Sequence, residues 1–503
     1  MQSKKDLLLF LFIIILAILL RFYRITDLMV FRFDQEHQVS LAMSIVKDFH
    51  IIWIGVSASN LNFYLGPFWV YFTAFWLFVS KGNPIILAYV ASFIGVVTTV
   101  LIFLVGREIF GRKVAFFASF LYSSLPLFVF YDRIYWNVTP TPLLAILLFY
   151  SIYKFQKERI WLVIFATFYG LVFHAHLSLI FTGFVGFYFF MKARKTTAKR
   201  YLFYSFAVFL VVVSPLIIFD YFHKWSNITA PLRIYNSSGV SLSENSKVHF
   251  GYFYQALGRI FFLRSSPIIT DETPFDCDLI FASDQRARGF MPLSSRTIPS
   301  PFVSAIPFAF FIGFMLRPKT WSRPASKLLA LMMLAILIPF LIFRGGAFEY
   351  YLVGFFPLFL YSLAILITSL PNFVRFFAIG LIFLICVLGV TRVLGADPKY
   401  SFYYKSQMIQ KVVGIVGDET FELREEGFCH NYEGWRYLFS IFGKTPVRSS
   451  TDKSLGWVYQ DEISDTKAKY LVVISEARIP LEMDVSAARV IDMGGFRAYV
   501  FEN

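Results

Sequence analysis

Long apolar runs separated by short polar turns fill this chain from Leu7 to about residue 392. The first is Leu7 to Leu20, and others lie near 64–80, 84–105, 114–131, 141–153, 161–175, 177–191, 201–219, 301–316, 328–343, 351–369 and 376–392. A bilayer core of about 30 Å takes roughly 20 helical residues at about 1.5 Å each, so these runs predict a polytopic helical membrane domain of about 11 crossings. Two stretches depart from that pattern. Asp220 to Ser300 is polar and rich in Ser, Asn, Arg and Pro, long for a structureless loop and therefore expected to be partly folded or functional. Asp397 to Asn503 is expected to be a small soluble α/β domain, with helices near Lys405 to Val416 and Tyr432 to Phe442, a β-branched run from Tyr470 to Ile474, and a strand pair around Gly494-Gly495.

Composition agrees with the membrane reading: 57% of the residues are hydrophobic, 20% aromatic and only 16% charged. The net charge of +15 would suit a nucleic-acid partner if it formed one patch. Instead the basic residues sit in short clusters between spans, at Lys4-Lys5, Arg107 to Lys113, Lys154 to Arg159, Lys192 to Arg200 and Arg317 to Lys327. That is how cytoplasmic loops beside anionic lipid read. The first run follows a basic N-terminus without a small-residue cleavage site, so it is expected to be retained, with the N-terminus cytoplasmic in a plasma membrane. Loops 21–61 and 220–300 and the domain 397–503 then fall outside, and 1–396 is the membrane domain. The clusters alternate sides from residue 132 onward, but they conflict between residue 62 and Asp132. Either 64–80 or 84–105 does not fully cross, or the basic turn at 107–113 is external. Cys277 and Cys429 both fall in external segments and can pair or stay free, while Cys386 lies within a span.

The candidate chemistry gathers at the external span ends. Arg32-Phe33-Asp34-Gln35-Glu36-His37 follows the first span, and a carboxylate at a membrane edge is costly enough to suggest function. Asp34 and Glu36 project to one side of a strand but about 200° apart on a helix. A plainer role for Asp34 is to cap the amphipathic helix expected from Gln38 to Phe49, a role compatible with catalysis. Arg133 in Asp132-Arg133-Ile134-Tyr135-Trp136-Asn137 can hold a phosphate oxygen or serve as an interfacial anchor. His174-Ala175-His176 could hold a metal only with a third ligand from elsewhere, so a hydrogen-bonded structural role is expected. In Arg344-Gly345-Gly346-Ala347-Phe348-Glu349-Tyr350-Tyr351 the arginine is a permanent cation and the glycines allow a close backbone approach or a plain turn.

Together with Tyr64-Leu65-Gly66-Pro67, Arg107 to Arg112, Tyr135-Trp136-Asn137 with Pro140, Gly170 to His176 and Phe348 to Tyr351 with Pro357, these motifs follow one another in a familiar order. Over roughly residues 7 to 360 the chain resembles the dolichyl- and undecaprenyl-phosphate-sugar transferases of the protein O-mannosyltransferase and aminoarabinose transferase group, glycosyltransferase family 39 or a close relative, in the GT-C class. The resemblance implies an inverting glycosyltransferase that moves a sugar from a polyprenyl-phosphate donor to an acceptor hydroxyl on protein, lipid or glycan. It implies Asp34 as general base with Glu36 as its companion, and for most members no metal and no other cofactor. Arg133 and Arg344 would bind the donor phosphate, with Tyr64, Trp136, Asn137, His176, Glu349 and Tyr350 lining the substrate site. A lipid-linked glycan translocase or polymerase-like membrane protein is the rival expectation, but it would spread charges through mid-span positions along a path.

Overall fold

The computed structural model describes residues 4–57, 63–194, 197–237, 242–262, 301–343, 348–426, 433–477, 481 and 483–503. Apolar helices form the bulk of the chain, in the order expected from the hydrophobic runs. Among the described residues four of them, Ile85–Ile109, Lys199–Phe222, Pro324–Ile342 and Asn372–Leu394, are each long and apolar enough to cross a membrane alone. The run 114–131 is helical in two pieces, Arg112–Ser124 and Pro126–Tyr131. The break falls where Pro126 pushes Leu125 to an extended ψ of 130°.

Side-chain pairs between distant helices show which ends lie together. At one end Arg112 meets Asp6, Lys154 meets Glu108, and Lys327 donates to the Tyr188 hydroxyl. These are the basic clusters of the sequence. At the opposite end Arg21 and Asp132 form a buried ion pair at 2.7 Å. The Arg21 guanidinium also donates to the carbonyls of Tyr122 and Ser123, and the Tyr122 hydroxyl donates to the second Asp132 oxygen. The first span is thereby fastened to the kinked one.

The short apolar helix Phe68–Val79 resolves the parity conflict. The Phe68 amide donates to His174 at its start, and the turn at its end is held by Tyr437 of the C-terminal region, whose hydroxyl donates to the Gly82 carbonyl. Both ends therefore lie on the side that carries the C-terminal domain. Of the two runs in question it is the one that does not pass from one end of the bundle to the other. The following helix Ile85–Ile109 passes through the bundle to the basic turn near Arg112.

Within 220–300 the segments Ser226–Ser237 and Leu242–Phe261 are helical. Cys277 and Cys429 lie outside the described residues, and Cys386 is a buried free thiol.

The C-terminal region is a mixed sheet packed against two helices, Phe402–Val416 and Trp435–Phe442. Strands β1 (Phe421–Glu426), β2 (Arg448–Ser449), β3 (Tyr470–Glu476), β4 (Arg489–Met493) and β5 (Phe496–Glu502) lie in the order β2-β1-β3-β5-β4. β1 pairs in parallel with β2 and β3, while β5 runs antiparallel between β3 and β4. The expected strand pair is the β4–β5 hairpin, turning at Gly494 with φ 59°. The sequence reading missed β1, whose alternating Phe421, Leu423 and Glu425 point inward.

Arg21→Met should cost about 3–5 kcal/mol of stability, because it strands a buried Asp132, whereas adding Asp132→Leu should recover most of that loss. Denaturant unfolding of the single and double variants in lipid checks this. Wild-type stability in Arg21→Met would show that the pair does not fasten the first span.

Candidate active site

The acidic motif folds as the start of a helix, Phe33–Asp48, beginning earlier than the expected Gln38. Asp34 is not its cap. The Gln35 carboxamide closes the first turn by accepting from the Arg32 amide at 3.0 Å, and its nitrogen donates to the Tyr135 carbonyl at 3.3 Å. One turn on, Gln38 donates to Thr73, whose hydroxyl also meets that of Tyr135 at 2.8 Å. One face of the acidic helix is thus pinned to the Asp132–Asn137 turn and to Phe68–Val79.

The helical spacing sends the two acids apart. Glu36 is fully buried, and its oxygens accept from the amides of Gly434 and Tyr437 at 3.0 and 3.1 Å. Burial, aided by the nearby Glu425, pushes its carboxyl well above the usual range, and the two amides oppose that shift. Asp34 is half-buried and accepts no hydrogen bond among the described residues. Its carboxyl is pushed up to about 6 by burial and by the charge of Glu433. Such a carboxyl is poised between acid and base at neutral pH and has oxygens to spare.

Asp34 lies within electrostatic reach of Tyr350, which belongs to an aromatic group. The Tyr350 ring packs against Trp136 at 5.1 Å and His176 at 5.8 Å, with Tyr351 also on His176 at 5.3 Å. His176 is held through Nδ1 by Ser178, and burial lowers its imidazole to about 4, so it is neutral. His174 is structural, as expected: Nδ1 accepts from the Phe68 amide and Nε2 donates to the Val212 carbonyl.

Other candidates fall elsewhere. Asn137 donates to the Ala175 carbonyl at 3.0 Å, tying two turns together. Tyr64 is bracketed through its backbone by the Asn227 carboxamide and packs on Phe219, contacts that do not bring it to Asp34. Glu349 is buried against Arg259 at 2.7 Å and accepts from the Tyr131 hydroxyl at 3.0 Å. It is therefore a partner of that arginine, one residue from Tyr350. Arg133 donates through Nη2 to the Leu20 and Tyr23 carbonyls, closing the end of the first span. Its Nε and Nη1 have no hydrogen-bond partner among the described residues. Arg344 lies outside the described residues. Arg259 was missed by sequence reasoning. A lone arginine before Ile260-Phe261-Phe262-Leu263 was its only signal.

Residues 62–219 match the model of the dolichyl-phosphate-mannose-protein mannosyltransferases. Among solved structures the chain is similar to ArnT from Cupriavidus metallidurans bound to undecaprenyl phosphate, with 10% identity and a TM-score of 0.61 over 99% of this chain and 98% of that one. The apo state of the same protein aligns with a TM-score of 0.57 at 10% identity, over 97% of each chain. The chain shares the fold of ArnT, the GT-C fold. No curated protein matches the chain. In this GT-C fold the buried pairs Arg21–Asp132 and Arg259–Glu349 and the Glu36 contact lie at the end of the bundle that faces the C-terminal domain, beside the acidic helix.

The carboxyl band removed by Asp34→Asn in infrared difference spectra should titrate with a midpoint near pH 6. Glu433→Gln should lower that midpoint, since it removes a like charge that disfavours the ionised form. A midpoint near the ordinary value of about 4 would overturn the poised-carboxyl assignment.

Proposed function

We propose that the protein is an inverting glycosyltransferase that moves a sugar from a polyprenyl-phosphate donor to an acceptor hydroxyl, with Asp34 as general base. The observation that carries this reading is the contrast within one helical turn: Glu36 is saturated by amides, while Asp34 is free among the described residues and raised to about 6. An alcohol has a pKa far above 7, so its proton must pass to a base as the bond from sugar C1 to phosphate oxygen breaks. The acceptor oxygen attacks C1 from the face opposite the phosphate, and its proton goes to the Asp34 carboxylate. The C1–O electron pair leaves with the polyprenyl phosphate. The carboxylate acts on the acceptor and not on C1, so the anomeric centre inverts.

Departing phosphate gains negative charge, which preorganised cations stabilise. Arg133, two of whose nitrogens have no hydrogen-bond partner among the described residues, and Arg344 take that role in this reading. Trp136, Tyr350 and His176 offer aromatic faces near the acid on which a sugar or isoprenoid can pack. Glu349 and Asn137 act by holding the walls that carry Tyr350 and Ala175, and Tyr64 by holding the neighbouring turn at Asn227. Pairing of the charged side chains at the bundle ends, away from mid-span positions, favours a transferase over a translocase. The basic ends face the cytoplasm in this reading, which puts the N-terminus inside and the C-terminal domain outside the plasma membrane.

Asp34→Asn should lower turnover by about 10²- to 10⁴-fold while leaving donor binding intact, because the side-chain volume is kept and the proton acceptor lost. Sugar-dependent release of polyprenyl phosphate by purified protein measures this. Retention of more than about a tenth of wild-type turnover would remove Asp34 as the base.

Sidedness follows from single cysteines placed where the native ones have been replaced by serine. Thr466→Cys, exposed in the C-terminal domain, should react with an impermeant maleimide added to intact cells, and Lys199→Cys, exposed at a basic end, should not. The reverse labelling would turn the proposed topology inside out.

A further inference from the structure

The helix Trp435–Phe442 starts at Gly434, an N-cap with φ 89° and no side chain to satisfy the first amides. Two carboxylates stand in for it: Glu36, 398 positions earlier, accepts from the N-cap amide and from the third amide of the helix, and Glu425 accepts from the second, that of Arg436. An anion acceptor at a helix N-terminus satisfies donors that would otherwise be buried without partners. Further bonds surround this contact, and several end on main-chain atoms. Lys405 donates to the Phe31 carbonyl at 2.9 Å and to that of Glu433, with its ammonium 4.7 Å from the centre of the Trp435 ring. The Phe402 amide donates to the Met29 carbonyl at 2.9 Å, and Ser40 meets the Tyr459 hydroxyl at 2.9 Å. Phe31 stacks on Tyr437, and Gly434 packs so closely on Phe31 that an added Cβ would lie 2.7 Å from its ring. The acidic helix is thus gripped between the membrane bundle, through Gln35 and Gln38, and the C-terminal domain, through Glu36.

We propose that Glu36 is a positioning residue: by capping the helix Trp435–Phe442 it makes the C-terminal domain the outer wall of the active site and fixes the helix that carries Asp34. The inference rests on the reading of Asp34 as base. On this account the C-terminal domain is a built-in part of the catalytic end, and its contribution is the placement of one carboxylate. Glu433, in the lead-in to the capped helix, brings the like charge that Asp34 experiences.

The test uses the full chain in lipid nanodiscs with Glu36→Ala and Glu36→Gln. Amide hydrogen exchange at Gly434 and Tyr437 should quicken by about tenfold or more in Glu36→Ala, because both acceptors are gone. Turnover should fall by about 10- to 100-fold with the donor KM within about twofold of wild type, as expected when a reacting group is displaced while substrate binding is kept. Glu36→Gln keeps one acceptor oxygen and should recover part of both losses. It also supplies the reading if the alanine variant does not fold. Unchanged exchange at the two amides would overturn the capping assignment. Faster exchange with unchanged turnover would overturn the positioning role. A loss seen wholly in KM would do the same. Should Asp34→Asn prove active, the base assignment fails while the exchange result still stands, so the two failures are told apart.

Discussion

A buried carboxyl group must find donors, and this requirement decides the arrangement of the candidate site. Asp34 and Glu36 share one helical turn and point to opposite sides of it. On one side the main-chain amides of a distant helix take up both oxygens of Glu36. On the other side no described donor reaches Asp34, and burial beside Glu433 holds its proton affinity near neutrality. The same backbone thus makes one acid a fastening and leaves the other available to a substrate.

The frame around that helix is built from buried charges in pairs. Arg21 with Asp132, and Arg259 with Glu349, join helices far apart in sequence at the same end of the bundle. Such pairs add little net stability against well-packed apolar residues, but breaking one is costly. Their value here is geometric: each fixes a turn that carries an aromatic ring of the candidate site, Trp136 in one case and Tyr350 in the other.

Much of this was legible in the sequence because periodicity and charge placement are local signals. The apolar runs mark the helices, and the basic clusters mark one end of the bundle. Alternation of side even exposed the anomaly at 64–80, which a helix with both ends on one face explains. For Asp34 and Glu36 the sequence left open a strand, which puts both acids on one side, or a helix, which gives them two environments; the helix is what forms. Their separate partners were not legible, since Gly434 and Tyr437 lie hundreds of residues away and offer only backbone amides. Arg259 and Lys405 escaped for a similar reason. Their partners are a single glutamate and two carbonyls, chosen by packing rather than by pattern. Arg133 read equally well as anchor or phosphate ligand, and its guanidinium anchors through one nitrogen while the other two have no hydrogen-bond partner among the described residues.

The helix Phe68–Val79 enters and leaves on one face, yet it carries Phe68, Phe75 and Phe78 well exposed to whatever surrounds the bundle. In a bilayer those apolar rings sink into the hydrocarbon of the leaflet on the side of the C-terminal domain. Through Thr73 the same helix holds Gln38, and so the helix of Asp34. The leaflet thus becomes a neighbour of the candidate site, reached from Asp34 through one helix and the single Gln38–Thr73 hydrogen bond.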